Sequence, residues 1–495
     1  MVLVTTGPAS ATGAKTATQL PSSLVSADAA PDASTRAAST ETAAVAEARI
    51  TGAMVNVASA TTENSITWAN PNGSLTTQQS GGPVRVADAS TKSGWRDIDG
   101  TLVENSDGTV SPKSAYLPLT LSGAASASKV AQSGVVAVAD GKGSTVKFGW
   151  TGALPRPTLV GNTATYYNVE PNLNIVVTMT ATGFEQFFEL TAPPTASELN
   201  LVLPMTAPGL SSKLRTDGGI DFSDSTTNVV GSIAPALMWD ARTDPLSGMP
   251  THLASLALSA TSQTLDVTSP TSYFADPAIQ YPVTIDPTWS ANPSADTFVR
   301  EDFPTTNYQS YTPLELQVGT YNGGTSVSRS FLNFSTAGWL GGTVTGATLS
   351  LYEFHSYNCV ASTMYVRYAD LETPSTTWNT QPATSTSYQS APTFSNGYSS
   401  ACPATTVAID VGSLINYDAS MAGSTIGIGL IAASETANSS WKRFNSADAS
   451  SGKPVLTVTY FHAPSTHPRR TLDAPWGELH FPEPRMWKFD RSRMG

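Results

Sequence analysis

The sequence predicts an all-β protein, with an N-terminal antiparallel β-sandwich-like domain followed by a jelly-roll-like β-sandwich module. Charged residues make up only 13% of the 495 residues, about half of the usual share of roughly 25%. Short runs of branched and aromatic side chains, which suit a pleated and half-buried surface, recur with Gly, Asn or Asp between them. No long helical period interrupts this pattern. Strands and turns therefore dominate the prediction.

Residues 1–48 are rich in Ala, Ser and Thr and hold too little apolar material to form a core. We expect a disordered spacer, with one short helical turn at residues 43–50. The segment lacks a basic stretch followed by a long apolar one, so no complete signal peptide is visible. Either the natural start lies upstream or the gene start is placed too late, and the sequence leaves both open.

Residues 49–290 alternate between strand-like runs and turn signals. Residues 65–68 precede the hairpin-like turn at residues 70–73, and the branched run 174–180 leads through Gly183 into another strand-like run. Strands at such short intervals favour a β-sandwich or stacked antiparallel sheets. A strand-like segment that ends in prolines at residues 281–289 places the domain boundary near residue 290.

Residues 291–461 form the second predicted β domain, whose length of about 170 residues suits a jelly-roll-like sandwich. The clearest predicted strands are residues 331–334, 347–352, 364–368, 425–431 and 455–460.

Residues 462–495 differ in composition, since ten of these 34 residues are charged and three of the five histidines lie here. We expect an irregular charged tail. It is either flexible or the product of a shifted reading frame, which would make the chain a truncated or frameshifted form of a longer protein.

The chain has two cysteines, Cys359 and Cys402. Two cysteines cannot supply a four-ligand zinc site, and no pair of histidines stands at metal-binding spacing near them. They either form one disulfide or remain as two buried thiols. The extracellular character of the rest of the chain favours the disulfide.

Several classes of function are disfavoured. A net charge of -12 repels nucleic acid, and the longest apolar run, residues 426–433, is too short to span a bilayer. No Gly-x-Ser-x-Gly elbow, His-Glu-x-x-His motif or phosphate-binding loop is present. His252 and His355 are isolated. We therefore expect no enzyme.

The carboxylates of the chain give little support for a catalytic site. Glu185 and Glu189 share one face of a strand, but neighbouring phenylalanines mark that strand as half-buried rather than catalytic. Asp276, Asp286 and Asp296 lie near prolines and turns, where Asp is ordinary turn chemistry. We expect no cofactor; a structural calcium ion stays open, because calcium takes carboxylate and carbonyl oxygens.

The second domain is rich in Tyr, Arg and Lys, which suits an acidic glycan. Aromatic rings pack against the apolar faces of sugars, and basic groups pair with their carboxylates. Most individual aromatic residues there, such as Trp378 and Trp441, are expected to serve packing instead. The residues that we expect to bind ligand are Arg300, Tyr308, Arg329, Arg367, Lys442 and Arg443.

The second domain resembles the DNRLRE-type carbohydrate-binding module. Thr-Thr-Trp-Asn-Thr-Gln-Pro at residues 376–382 matches the central motif of that family, and the other matching segments follow in family order. They are residues 295–300, 305–308, 314–318, 329–334, 344–352, 444–446 and 453–460. The resemblance implies a β-sandwich, and some members bind alginate-like polysaccharide. The family also often pairs two cysteines that flank the motif, as Cys359 and Cys402 do.

Residues 49–290 resemble the amino-terminal region of actinobacterial cell-surface proteins that carry RHS/YD repeats. The matching segments are residues 95–99, 101–102, 107–110, 112–113, 184–186, 234–240 and 281–287. In such proteins a DNRLRE-type module follows, and then the repeats and often a toxin.

Three functions remain. The first is a secreted or cell-surface, monomeric, non-catalytic protein that binds acidic polysaccharide or cell-wall glycan. The second is a structural N-terminal fragment of a truncated RHS/YD-repeat export or toxin-delivery protein with no activity of its own. The third is a polysaccharide-degrading enzyme in residues 49–290, which would need two opposed carboxylates about 5–10 Å apart.

Overall fold

The computed structural model describes residues 36–123, 134–138, 145–290, 296–309, 315–373, 375–421 and 423–462. All of them lie in one compact unit that ends at His462. The predictions for residues 1–35 and for the tail after His462 therefore lie outside the described residues.

The chain begins with helix α1 and four strands. Thr40 caps α1 by accepting a hydrogen bond from the backbone N–H of Ala43, and Gly52 ends the helix in the left-handed conformation. Residues 43–50, expected as a short helical turn, lie within this 11-residue helix. The elements are β1 (Ala37–Ala38), α1 (Glu41–Thr51), β2 (Val55–Val57), β3 (Ser65–Ala69) and β4 (Leu75–Ser80).

The following strands form the first domain, which starts with two ribbons, β5–β6 and β7–β8. The strands are β5 (Arg85–Ala87), β6 (Trp95–Asp97), β7 (Asp99–Glu104), β8 (Val110–Ser114), β9 (Leu119–Thr120), β10 (Gly134–Val138), β11 (Thr145–Gly149), β12 (Thr158–Val160), β13 (Thr163–Glu170), β14 (Leu173–Met179), β15 (Gly183–Leu190), β16 (Asn200–Thr206), β17 (Ser211–Leu214), β18 (Ile220–Ser223), β19 (Val229–Ile233), β20 (Leu237–Trp239), β21 (Leu253–Ser255), β22 (Ala257–Ala260), β23 (Thr264–Thr268), β24 (Val283–Asp286) and β25 (Trp289–Ser290).

Two antiparallel sheets make up the body of this domain. One has the order β22-β23-β16-β11-β10-β9, and the other contains β12 to β15, β17 to β21, β24 and β25. A single hydrophobic core takes residues from both sheets, for example Phe148 and Leu203 from the first and Phe188 and Ile285 from the second. The two sheets therefore pack face to face, as a β-sandwich requires.

The second domain is a sandwich built from β26 (Asp296–Arg300), β27 (Glu315–Val318), β28 (Ser328–Ser335), β29 (Thr343–Ser356), β30 (Ser362–Ala369), β31 (Thr384–Ser390), β32 (Thr393–Phe394), β33 (Thr405–Asp410), α2 (Gly412–Ala419), β34 (Thr425–Ala432), β35 (Lys442–Asn445) and β36 (Val455–Phe461). Its front sheet has the order β26-β28-β34-β30-β31, with β32 beside β30. Its back sheet contains β27, β35, β29, β36 and β33. The all-β fold class is confirmed.

The back sheet of the sandwich does not end at β36. Strand β4 pairs with β36 along six residues, from Leu75 opposite Tyr460 to Ser80 opposite Val455, and β3, β2 and β1 follow outwards. Ala44, Ala48 and the apolar residues of β2 to β4 share one hydrophobic core with the sandwich strands.

The structure thus differs from the expected domain limits at the N-terminal end. Residues 37–80, which the sequence divided between a spacer and the first domain, complete the back sheet of the second domain. Backbone pairing with β36 and burial of Ala44 and Ala48 are the physical reasons. At the other limit, β25 still belongs to the first domain, and β26 opens the sandwich. Cys359 and Cys402 form a disulfide, so that alternative is confirmed.

Candidate functional site

The outer surface of the front sheet brings together two of the predicted ligand residues. Phe331, Gly429, Arg367 and Gln389 lie directly opposite one another in β28, β34, β30 and β31. Side chains alternate between faces along a strand. Arg329 and Tyr365, each two residues from a member of this row, therefore share the same outer surface.

The inner surface of the same strands is the core side. Leu332, Leu430 and Val366, the sequence neighbours of this row, are buried between the two sheets. Alternation therefore leaves the arginines on the surface that faces away from the core. We call this surface the arginine face and define it by the side chains Arg329, Tyr365, Arg367, Trp378, Gln381, Gln389 and Glu435.

The Trp-Asn-x-Gln-Pro segment folds over one end of the arginine face. Trp378 opens a short 3₁₀ helix, Trp378–Thr380, which Thr377 caps. The Trp378 ring packs on Val299, Phe331 and Ala369 of the front sheet. Gln381 then donates a hydrogen bond from Nε2 to the Trp378 carbonyl at 2.9 Å. The motif therefore fixes a loop on the sheet.

Arg329 holds this loop in place. Its guanidinium lies 4.8 Å from the centre of the Trp378 ring, which is cation–π distance. Its Nη1 donates to Gln381 Oε1 at 2.9 Å, while Nε and Nη2 donate to the two oxygens of Glu435 at 2.7 and 2.8 Å. The hydrogen bonds to Glu435 raise the pKa of Arg329 further. Each of the three guanidinium nitrogens of Arg329 therefore has a protein partner.

Arg367 is placed differently. Its Nε donates to Gln389 Oε1 at 3.0 Å, and its guanidinium lies 4.6 Å from the centre of the Tyr365 ring. Among the residues that the structure describes, no acceptor pairs with its Nη1 or Nη2. The side chain is half-buried. A half-buried guanidinium with two open donors, oriented by an amide and an aromatic ring, can bind a carboxylate in a bidentate manner.

The structure corrects the other predicted ligand residues. Arg300 and Tyr308 are each only 4% exposed. Arg300 donates to both oxygens of Asp302 at 3.0 and 2.6 Å, and Tyr308 stacks on Phe298 with ring centres 4.4 Å apart. Burial removes both side chains from reach of a ligand, so their role is structural.

Lys442 is also buried, with 1% exposure. Its Nζ lies 3.2 Å from Glu353 Oε1 and donates to the carbonyl of Phe394. Burial lowers the pKa of Lys442, and it raises the pKa of Glu353. Sequence patterns do not predict this pair, because its members come from β35 and β29, 89 residues apart.

Arg443 belongs to the contact between the two domains. Its guanidinium pairs with Glu315 at 2.6 Å and donates to the carbonyls of Ser247 and Gly248 in the first domain. His355 joins the same contact, because its Nε2 lies 2.8 Å from the carbonyl oxygen of Leu246. This arginine therefore attaches the first domain to the back sheet and is not exposed for a glycan.

The first domain contains a charged cluster that the sequence analysis did not predict. His252 stacks on Tyr273 with ring centres 4.1 Å apart, and its Nδ1 lies 3.5 Å from Asp240. Arg242 pairs with Asp240 at 2.6 Å and with Asp276 at 3.0 Å. Arg242 thus bridges two carboxylates, and the members of the cluster come from segments that are separated in the sequence. His252 and His355 thus both have partners from distant segments.

Metal and membrane features can be judged only for the described part of the chain. There, no group of three or more His, Cys, Asp or Glu side chains is arranged to hold a metal ion. No helix in those ranges is long and apolar enough to cross a membrane.

The sandwich fold of the second domain is accompanied by a family match. Residues 287–460 match the model of carbohydrate-binding module family 96, which supports a carbohydrate-binding module in this part of the chain.

Curated relatives match a region of similar size. The chain is 33% identical over 190 residues to the tRNA nuclease WapA of Bacillus subtilis strain 168. It is 32% identical over 190 residues to the tRNA3(Ser)-specific nuclease WapA of Bacillus spizizenii. In both cases the match covers 35% of this chain and 8% of the relative. The chain thus spans less than a tenth of the length of these relatives.

A solved structure, the N-terminal domain of a Streptococcus gordonii adhesin, aligns with 83% of this chain and 75% of that chain at 6% identity. The TM-score is 0.12, which is too low to support any argument about fold.

Proposed function

We propose that the chain is a secreted or cell-surface, non-catalytic protein that binds an acidic polysaccharide or cell-wall glycan through the arginine face of its sandwich. The observation that carries this proposal is the pair of open donors on Arg367. The family match supports carbohydrate as the class of ligand. The arginine and the ring of Tyr365 beside it add the preference for an acidic sugar.

The chemistry of the face supports this choice. A uronate presents a carboxylate that matches the two parallel N–H groups of a guanidinium, and an apolar ring face that packs on an aromatic side chain. Tyr365, Gln389 and Gln381 supply the aromatic and amide groups of such a site. Arg329 does not contact the sugar in this proposal; it positions Trp378 and the loop that borders the face.

The overall charge of the protein makes the test selective. With a net charge of -12, the chain repels polyanions in general, so binding to an acidic polymer requires a local cationic site. Retention should weaken as salt screens the contact, since the Debye length falls from about 10 Å at 0.1 M to about 3 Å at 1 M.

The experiment is affinity electrophoresis and pulldown of the full chain on alginate, with Arg367→Ala beside the wild type. We expect Arg367→Ala to weaken retention about tenfold, which corresponds to roughly 1.4 kcal/mol for one charge-assisted contact. Lys213→Ala is the matched control. It removes one exposed positive charge from β17 in the first domain and should leave retention unchanged.

Equal losses in both variants would show that net charge alone governs retention, and the arginine face would be rejected. Unchanged retention of Arg367→Ala would reject it as well.

The second candidate is a structural leading segment of a longer RHS/YD-repeat export or toxin-delivery protein. The relatives favour it, because they carry nuclease names and are far longer than the matched region. Sequencing the genomic DNA downstream of the Gly495 codon tests this candidate. An open frame that encodes YD repeats supports it, particularly if the full chain binds no acidic glycan on an array.

A further inference from the structure

The first domain contains a cleft of about 680 Å³ that lies apart from the arginine face. One wall is the β5–β6 ribbon, and another is β8 with the segment that leads into β9. Glu63, from the turn before β3, lies at the same cleft. This volume is within the range of about 300–1,000 Å³ that is typical of small-molecule sites.

Each wall contributes one aromatic and one cationic residue. Trp95 and Arg96 come from the ribbon, and Lys113 and Tyr116 come from the other wall. Both aromatic side chains are half-buried, so they are held by the fold and still accessible. Two accessible aromatic side chains from separate segments of the lining offer apolar surfaces on which a sugar ring can pack.

An unsatisfied hydroxyl is the second observation at this cleft. Ser114 lines it and is only 6% exposed, yet its Oγ has no hydrogen-bond partner among the described residues. Buried polar atoms are nearly always paired with protein or with ordered water. An ordered water or a polar atom of a ligand at this cleft can supply the missing partner.

The charges of the cleft select the kind of ligand. Arg96 is paired with Asp88 at 3.4 Å, and Lys113 with Asp99 at 3.6 Å, so neither cation is left in excess. Glu63 adds a negative charge close to Tyr116, whose pKa is raised by burial and by this carboxylate. A polyanion would meet this carboxylate, whereas a neutral, hydroxyl-rich molecule can donate hydrogen bonds to it.

We propose that this cleft is a second saccharide-binding site, which takes a neutral sugar unit between Trp95 and Tyr116. The Glu63 carboxylate accepts hydrogen bonds from sugar hydroxyls, and Ser114 Oγ gains the partner that it lacks. The chain would then carry two sites of different preference, one for acidic glycan on the sandwich and one for neutral glycan in the first domain.

The test uses the full chain on an array of neutral hexasaccharides of glucose, xylose, mannose and N-acetylglucosamine, followed by calorimetric titration of those that bind. We expect Trp95→Ala to weaken binding at least tenfold, because it removes one of the two stacking surfaces. Ser114→Ala should weaken binding several-fold. It breaks no hydrogen bond to a described residue, so it tests the site without depending on a large change in the fold.

Tyr167→Ala is the control for a lost aromatic ring, since Tyr167 is 53% exposed and lies outside the cleft. Thermal unfolding of each variant checks that the fold is kept. The proposal is overturned if no neutral hexasaccharide binds, or if Trp95→Ala and Ser114→Ala both bind within twofold of the wild type.

The two sites can fail separately. Neutral binding that depends on Trp95, without any retention on alginate, removes the proposed function of the sandwich and keeps the cleft. Binding of uronate hexasaccharide that is lost in Trp95→Ala but kept in Arg367→Ala overturns the neutral preference of the cleft.

Discussion

The hydroxyl of Thr77 lies 3.2 Å from the hydroxyl of Tyr460, although 383 residues separate them in the sequence. This contact marks the pairing of β4 with β36, through which the N-terminal segment completes the back sheet. Tyr460 is only 1% exposed, and burial raises its pKa to about 12. The sandwich thus depends on residues that lie more than 200 positions before its first strand.

The first prediction concerns a fragment of residues 287–460, which lacks β4. In this fragment the backbone groups of β36 that pair with β4 become an exposed edge, and exposed edges pair with other chains. We expect the fragment to self-associate at micromolar concentration and the full chain to remain monomeric. Sedimentation velocity measures both.

Thr457→Lys in the fragment is the control, because a lysine on an edge strand opposes edge-to-edge pairing. This variant should be monomeric. If the wild-type fragment stays monomeric at the same concentration, β4 is not needed to keep the edge of β36 from pairing with other chains.

The second prediction concerns the buried pair of Lys442 and Glu353. Truncating one member of such a pair leaves the other charge buried without its partner, which costs about 3–5 kcal/mol. We expect Lys442→Ala to lower the free energy of unfolding by about this amount in urea titration. Any loss of glycan binding in this variant should follow the fraction unfolded.

The double variant Lys442→Met with Glu353→Gln removes both charges and should recover most of the loss, since replacing a buried pair is often nearly neutral. A single variant that loses less than about 1 kcal/mol would contradict the role of the pair, because exposed ion pairs contribute amounts of that size.

Local patterns predicted several of the longer strands, such as β28, β30, β34 and β36, but none of the long-range pairing. The run of β34, for instance, shows in the sequence because strand propensity and apolar content are local properties. Pairing of β4 with β36 leaves no such trace, since Thr76 and Thr77 would suit any strand.

The same limit applied to the candidate site. Arg329 and Arg367 were predicted by residue type, and the sheet register brings them to one face. Lys442 was misjudged because its partner Glu353 and its burial are set by the packing of β35 on β29. Ser114 could not be singled out at all, because an unsatisfied hydroxyl is visible only once the surrounding atoms are placed.

The third prediction concerns the disulfide between Cys359 and Cys402, which closes a loop with a sequence separation of 43. The loop contains β30 and the Trp378 segment, which supply several side chains of the arginine face. The disulfide restricts the conformations of this loop in the unfolded chain. In the chain-entropy model a loop of this length contributes about 4 kcal/mol. We expect dithiothreitol to lower the melting temperature measured by circular dichroism.

The double variant Cys359→Ser with Cys402→Ser is the control. It should melt at that lower temperature with or without reductant. A melting temperature of the wild type that does not change with reductant would contradict the prediction.

The last prediction concerns Glu372, which is 6% exposed beside the front sheet. Burial, and then the nearby carboxylate of Asp296, raise its pKa from the ordinary value of 4.5 to about 8. A carboxyl whose pKa is higher in the folded protein holds its proton there after the unfolded chain has lost it. Its contribution to stability is therefore complete below about pH 4.5 and is lost as the pH rises from 4.5 to about 8.

Glu372→Gln replaces the titrating carboxyl with a neutral amide. The amide oxygen can still accept hydrogen bonds from the side-chain amides of Gln309 and Asn333, which lie 3.3–3.5 Å from the carboxylate. At pH 8 we expect the variant to be more stable than the wild type by on the order of 4 kcal/mol, since each unit of pKa shift is worth about 1.4 kcal/mol. At pH 4.5 the two should be nearly equal. Urea titrations across this range measure the difference, and Glu301→Gln, which removes an exposed carboxyl, should show no comparable trend. A difference between Glu372→Gln and wild type that does not grow with pH would mean that Glu372 is already ionised in the folded protein.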